Sequence, residues 1–172
     1  DFIEIFRTMK GLPVTVRLLD PPLHEFLPHH DLQELAQSMS ISVERLETIV
    51  DDLRELNPML GHRGVRLGVT YPEIYAMQAR AIFEATAELA KEGQTVIPEI
   101  MIPLVGVLPE LELMKKVCVN VAQQVQEETG IRFEYKIGTM IEVPRACIVA
   151  DRIAQEADFF SFGTNDLTQM TF

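Results

Sequence analysis

Apolar positions along the chain switch repeatedly between helical and strand-like periods. Residues 2–10 (FIEIFRTMK) read as a short helix with Asp1 and Glu4 as a capping box, stopped by Gly11 and Pro13. A β-branched run at 14–19 reads as a strand that Asp20-Pro21-Pro22 ends. After a loop through His29, one helix can start at Asp31. Another can start at Ser42, with Val43, Leu46, Ile49, Val50 and Leu53 at helical spacing and a stop at Asn57-Pro58. Residues 57–69 (NPMLGHRGVRLGV), with three glycines, read as a loop. Thr70-Tyr71-Pro72-Glu73 then reads as the capping box of a long helix to about Glu92, stopped by Gly93.

The second half repeats the alternation. Residues 96–105 (VIPEIMIPLV) read as a buried strand. Residues 109–128 read as a helix whose stripe is Leu111, Met114, Val117, Val121 and Val125 and whose stop is Gly130. Residues 133–143 read as a strand, the stretch from Pro144 to about Glu156 as a helix, and 159–163 as a fourth strand. The closing NDLTQMTF reads as loop. Strands separated by helix-length crossovers predict a parallel α/β sheet, either doubly wound or part of a (β/α)8 barrel, of which four strands are about half. Both ends read as cut within a larger fold, so a fragment is expected.

Composition narrows the class. The 172 residues suit one domain, and 15 Lys+Arg against 26 Asp+Glu give a net charge of −11. Such a field repels nucleic acid and anionic membranes, so neither is an expected partner. Cys118 and Cys147 form no CxxC and have no His-spaced partner, which fits neither a disulfide framework nor a zinc site and points to a reducing, cytoplasmic compartment. No apolar run approaches the roughly 18 residues of a membrane span, and the start lacks a signal-peptide pattern.

In either parallel-sheet architecture the site lies at the carboxyl ends of the strands. Arg17 stands at the end of the first strand, Glu142 at the end of the third, and Asn165-Asp166 just past the fourth. Charges there are costly to bury unless paired, and two carboxylates on separate strands suit Mg2+, with arginine for an anionic substrate. Glu142 could instead pair with Arg145, and Asn-Asp after Gly is also ordinary turn chemistry. Arg63 and Arg66 could clamp phosphate or simply be solvated. Gly61, Gly64 and Gly68 match no nucleotide fingerprint. His24, His29, His30 and His62 lack the i, i+4 spacing of a helical metal face. Met9, Met39, Met77 and Met114, and both cysteines, read as buried apolar filling.

Four strings carry a resemblance that spans nearly the whole chain: VRLLDPPLHEFLP (16–28), NPMLGHRGVRLG (57–68), GTMIEVPRA (138–146) and FFSFGTNDLTQMTF (159–172). They resemble the phosphoenolpyruvate-utilising enzymes. The DPPLHEFLP continuation points to the pyruvate, phosphate dikinase branch rather than phosphoenolpyruvate synthase or enzyme I of the sugar phosphotransferase system. The resemblance implies a (β/α)8 TIM-type barrel, present as a partial barrel of about four to five β/α units, with residues 1–172 part of the PEP/pyruvate-binding domain. It implies Glu142 and Asp166 as Mg2+ ligands, Arg17, Arg63 and Arg66 as holders of phosphoryl and carboxylate groups, and Asn165 as a phosphoryl contact. Arg17 and Asn165 are thereby the implied catalytic residues.

The implied chemistry is Mg2+-dependent phosphoryl transfer between a phosphohistidine and the enolate of pyruvate. The overall reaction converts ATP, phosphate and pyruvate to AMP, diphosphate and phosphoenolpyruvate. The family's nucleotide domain, phosphohistidine domain, upstream arginine and catalytic cysteine loop are expected outside these residues, so the fragment alone is expected to be inactive. The full-length protein is expected to be a cytoplasmic homodimer, or a plastid one in a plant. Two other readings stay open, a Mg2+-dependent pyruvate aldolase and an inactive binding module.

Overall fold

The computed structural model describes residues 1–22, 25, 32–52 and 60–172. His24, His29 and His30, the helix start at Asp31, Leu53 and the Asn57-Pro58 stop lie outside the described residues. In chain order the elements are α1 (Phe2–Thr8), β1 (Pro13–Arg17), α2 (Leu32–Ser38), α3 (Val43–Asp52), α4 (Val65–Thr70) and α5 (Pro72–Lys91). They continue as β2 (Ile97–Ile102), α6 (Leu108–Thr129), β3 (Lys136–Ile141), α7 (Pro144–Ile148), α8 (Ala150–Ile153), β4 (Phe160–Phe162) and α9 (Thr164–Thr171).

The chain divides into two compact units, residues 1–20 with 64–172, and residues 21–63. In the smaller, α2 and α3 bury Ala36, Leu46 and Val50 against Leu32, Leu35, Ile41 and Val43. The Ser42 hydroxyl accepts the Arg45 amide at 3.2 Å, the N-cap that its position before α3 predicts.

In the larger unit all strand pairs are parallel and run in the order β1-β2-β3-β4. A doubly wound sheet reverses direction at a switch point. Strictly sequential order is that of a partial (β/α) barrel. One face of the sheet packs on the helices: Ile100, Ile102, Ile137 and Ile141 join Tyr75, Phe83, Leu111, Met114 and Val125 in one continuous core. Burial of that face supplies most of the stabilisation, since each large aliphatic or aromatic side chain contributes about 1.5–3 kcal/mol. The opposite face carries a polar row in register, Thr15, Glu99 and Lys136. The Thr15 hydroxyl donates to Glu99 at 2.7 Å and Lys136 reaches it at 3.4 Å.

Several local expectations are corrected. Residues 65–70 of the glycine-rich segment are helical, entered through Gly64 at φ 56°. Gly68 lies inside that helix because a Cβ would stand 2.7 Å from the Tyr75 ring and 2.8 Å from Met114 Sδ, so close packing overrides its poor helix propensity. Thr70 belongs to α4 and donates its hydroxyl to Arg66 O at 3.2 Å, so α5 has no capping box and begins at Pro72. Asp1 caps α1 through its backbone carbonyl alone. The expected helix from Pro144 to Glu156 breaks at Val149 (φ −111°, ψ 21°), where Ile148 and Val149 put two β-branched residues side by side. The closing NDLTQMTF is helix rather than loop, because Thr, Asn and Asp serve a helix N-terminus as well as a turn. Of the four methionines only Met114 is buried; Met9, Met39 and Met77 are exposed on amphipathic helices or their ends, as is Cys147, whereas Cys118 is buried.

Candidate functional site

All four strands deliver polar groups or backbone to the same end of the sheet. Glu142 follows the last residue of β3 and is fully buried. The Leu104 amide, two residues past β2, donates to its Oε1 at 2.7 Å, with Leu104 at φ 60°. Oε2 is buried and has no hydrogen-bond partner. Arg145 is therefore not its partner; that side chain is exposed on α7. Burial pushes the Glu142 carboxyl up to about 7; the Leu104 bond opposes the shift, while the nearby Asp166 carboxyl and the charge of Asp20 add to it. The site therefore concentrates negative charge around one unsatisfied oxygen, the condition that a hard cation relieves.

Asp166 occupies the first turn of α9, where the helix dipole favours an anion. Gly163, between β4 and α9, makes the approach possible: a Cβ there would stand 2.5 Å from Glu142 Cβ and 2.7 Å from Oε2. Its φ of −96° needs no glycine, so the requirement is space alone.

Arg17 ends β1 with a half-exposed side chain, 3.7 Å from Asp20 Oδ2. Asp20 is buried and joins the carboxylate group that acts on Glu142. Arg66 lies on α4, half-buried, rather than in a loop. Asn165 is exposed at the second position of α9. Arg63 belongs to the unit 21–63, where its amide donates to Gly61 O at 3.1 Å. The structure thus sets Asp166 near Glu142, with Asp20 acting on the same carboxyl through its charge and Arg17 lying 3.7 Å from Asp20 Oδ2.

Sequence reasoning missed Asp20, the Leu104 amide and Gly163. Asp20 was masked by the Pro-Pro that follows it and reads as a strand stop, although its position three residues after Arg17 is a detectable signal. Nothing in a Leu-Val-Gly loop announces a left-handed leucine. Among the described residues no group of three or more His, Cys, Asp or Glu is placed to hold a metal ion by itself. Two carboxylates with the remaining positions open fit Mg2+ better than a closed cage.

Residues 1–172 match the family described as PEP-utilising enzyme, PEP-binding domain. The chain belongs to that family. Within the PEP-binding domain family it is 57% identical over 176 residues to the chloroplastic pyruvate, phosphate dikinase of Flaveria trinervia, covering 100% of this chain and 18% of the relative. It is 57% identical over 175 residues to the pyruvate, phosphate dikinase of Clostridium symbiosum and 58% identical over 175 residues to that of Rhizobium meliloti, in each case 100% of this chain and 20% of the relative. The chain therefore spans about a fifth of the length of these relatives. Among the described residues no helix is long and apolar enough to cross a membrane.

Proposed function

We propose that residues 1–172 carry the phosphoenolpyruvate/pyruvate half-site of a pyruvate, phosphate dikinase, as part of its barrel domain. The nucleotide and phosphohistidine domains then belong to other parts of the full-length protein. The observation that carries this reading is the buried, partnerless Oε2 of Glu142 beside Asp166 at the carboxyl ends of parallel strands.

In this reading Glu142 and Asp166 hold Mg2+. When bound, the cation supplies charge neutralisation for the pyruvate oxygen that turns negative as a methyl proton leaves. Arg17 and Arg66 bind the phosphoryl and carboxylate oxygens through the guanidinium fork. Asn165 donates its side-chain amide to the phosphoryl group. The enolate oxygen attacks phosphorus, the P–N bond of the phosphohistidine breaks, and the histidine leaves with that electron pair. In-line positioning and charge compensation suffice for such a step, which accounts for the arginines and no nucleophile in the site.

The proton-handling cysteine of this chemistry is neither Cys118, buried on α6, nor Cys147 on α7. Turnover accordingly requires the full-length protein, which we expect to be a homodimer in the cytoplasm or a plastid. The test is calorimetric titration of that protein with phosphoenolpyruvate, with and without Mg2+. Mg2+-dependent binding is expected; binding indifferent to Mg2+, or absent, overturns the reading.

A further inference from the structure

The strand that carries Arg17 does not end as strands ordinarily do. β1 stops at Arg17, and the Leu18 amide still reaches the Met101 carbonyl of β2 at 2.9 Å. One residue on, both backbone groups of Leu19 leave the sheet and are taken by side chains of α5. The Tyr75 hydroxyl donates to Leu19 O at 3.0 Å, and the Leu19 amide donates to Gln78 Oε1 at 2.8 Å. Tyr75 and Gln78 are three positions apart, so they present to the peptide from one face of the helix. The Asp20 carbonyl then accepts the Gly64 amide at 3.1 Å. Residues 18–20 are fixed at four points, two of them by side chains, between the two charged residues Arg17 and Asp20.

Tyr75 is fully buried, and its ring occupies the space that the missing side chain of Gly68 leaves open. Burial, followed by the charge of Asp20, raises its phenol far above the usual range, so the hydroxyl stays protonated and keeps donating. Packing needs only the ring. The hydroxyl and the Gln78 amide have no packing role that phenylalanine or methionine would not fill.

We propose that Tyr75 and Gln78 are positioning residues for the anion-binding side of the site: by gripping the Leu19 peptide they set the direction in which Arg17 and Asp20 present their charges. This rests on the substrate-binding reading of Arg17 above.

Steady-state kinetics of the full-length protein test it, using Tyr75→Phe, Gln78→Met and Gln78→Glu, and Tyr75→Phe again in an Arg17→Lys background. Tyr75→Phe and Gln78→Met are each expected to raise the KM for phosphoenolpyruvate about five- to tenfold, the worth of one hydrogen bond, with kcat changed less. Gln78→Glu keeps the acceptor and is expected to restore the KM. In the Arg17→Lys background the effect of Tyr75→Phe should shrink below about twofold, because both changes act through one group. An unchanged KM with only a lowered Tm in Tyr75→Phe and Gln78→Met overturns the proposal, as does the same fold-loss in both backgrounds. If Arg17→Lys alone leaves the KM unchanged while Tyr75→Phe raises it, the clamp stands through Asp20 and the reading of Arg17 falls.

Discussion

The Leu104 amide donates to Glu142 Oε1 at 2.7 Å, joining the loop after β2 to the end of β3 through a leucine held at φ 60°. A non-glycine residue in that region costs about 1 kcal/mol or more, so the bond stabilises a loop that would otherwise relax. Glu142 thus has two separate duties, one per oxygen. Oε1 shapes the β2–α6 loop, and Oε2 faces the site without a partner.

Substitution separates these duties. Glu142→Gln keeps an acceptor for Leu104 while removing the charge. Phosphoenolpyruvate binding in the presence of Mg2+ should weaken by about a hundredfold or more, beyond the loss seen for outer-shell groups. Tm should stay level or rise, since an unpaired buried charge is gone. Glu142→Ala should lose binding and also about 1–3 kcal/mol of stability, because the Leu104 amide is left buried without an acceptor. Calorimetry paired with thermal denaturation reads both; equal Tm loss in the two variants would mean that the Leu104 bond carries no stability.

The pH dependence of stability follows from the same carboxyl. Its folded value of about 7 lies above the ordinary 4.5, so the native state holds a proton that the unfolded chain releases between those limits. Stability from this group is full below pH 4.5 and declines as pH rises through about 7. The difference is on the order of a few kcal/mol for a shift of this size. Chemical denaturation of the metal-free protein from pH 5 to 8 should show the decline, and Glu142→Gln should flatten it. Mg2+ should flatten it too by compensating the ionised form. A decline of equal slope in Glu142→Gln would assign the effect to other groups.

Gly163 packs so tightly against Glu142 that a Cβ there would stand 2.5 Å from the glutamate Cβ. Gly163→Ala should push Glu142 aside, cost about 1–3 kcal/mol as overpacking, and abolish Mg2+-dependent binding. Gly130→Ala is the control: it strains a left-handed helix cap at φ 69° with nothing within 4 Å of the added carbon, so it should lower Tm and leave binding intact. Similar binding loss in both would show that Gly163 acts only through stability.

The sheet was legible in the sequence because its strands are short apolar runs between helices with clear stops such as Gly93 and Gly130. Sequential strand order, which separates a barrel from a doubly wound sheet, is a tertiary property that periodicity does not carry. Glu142 and Arg17 were legible for one reason, being charges at the ends of apolar runs. Asp20 was hidden because Asp-Pro-Pro is also a turn. The helix Val65–Thr70 was hidden because Gly64 and Gly68 serve close packing against Leu104 and Tyr75, which local composition cannot distinguish from loop. The exposure of Met77 was equally unreadable, since methionine suits either face of a helix.

Arg17 sits 3.7 Å from Asp20 Oδ2, and its half-exposed head leaves guanidinium nitrogens for a ligand. Lysine at this position would keep the charge facing Asp20, so Arg17→Lys should leave Tm nearly unchanged. It would lose the planar fork that matches two phosphoryl oxygens at once. Phosphoenolpyruvate affinity should therefore fall by about tenfold or more, the worth of one charge-assisted hydrogen bond, while pyruvate affinity changes by less than about twofold. Parallel calorimetric titrations with the two ligands at saturating Mg2+ make the comparison. Equal losses for both ligands, with a lowered Tm, would mean that the Arg17–Asp20 pair holds the end of β1 in place rather than reading the phosphoryl group.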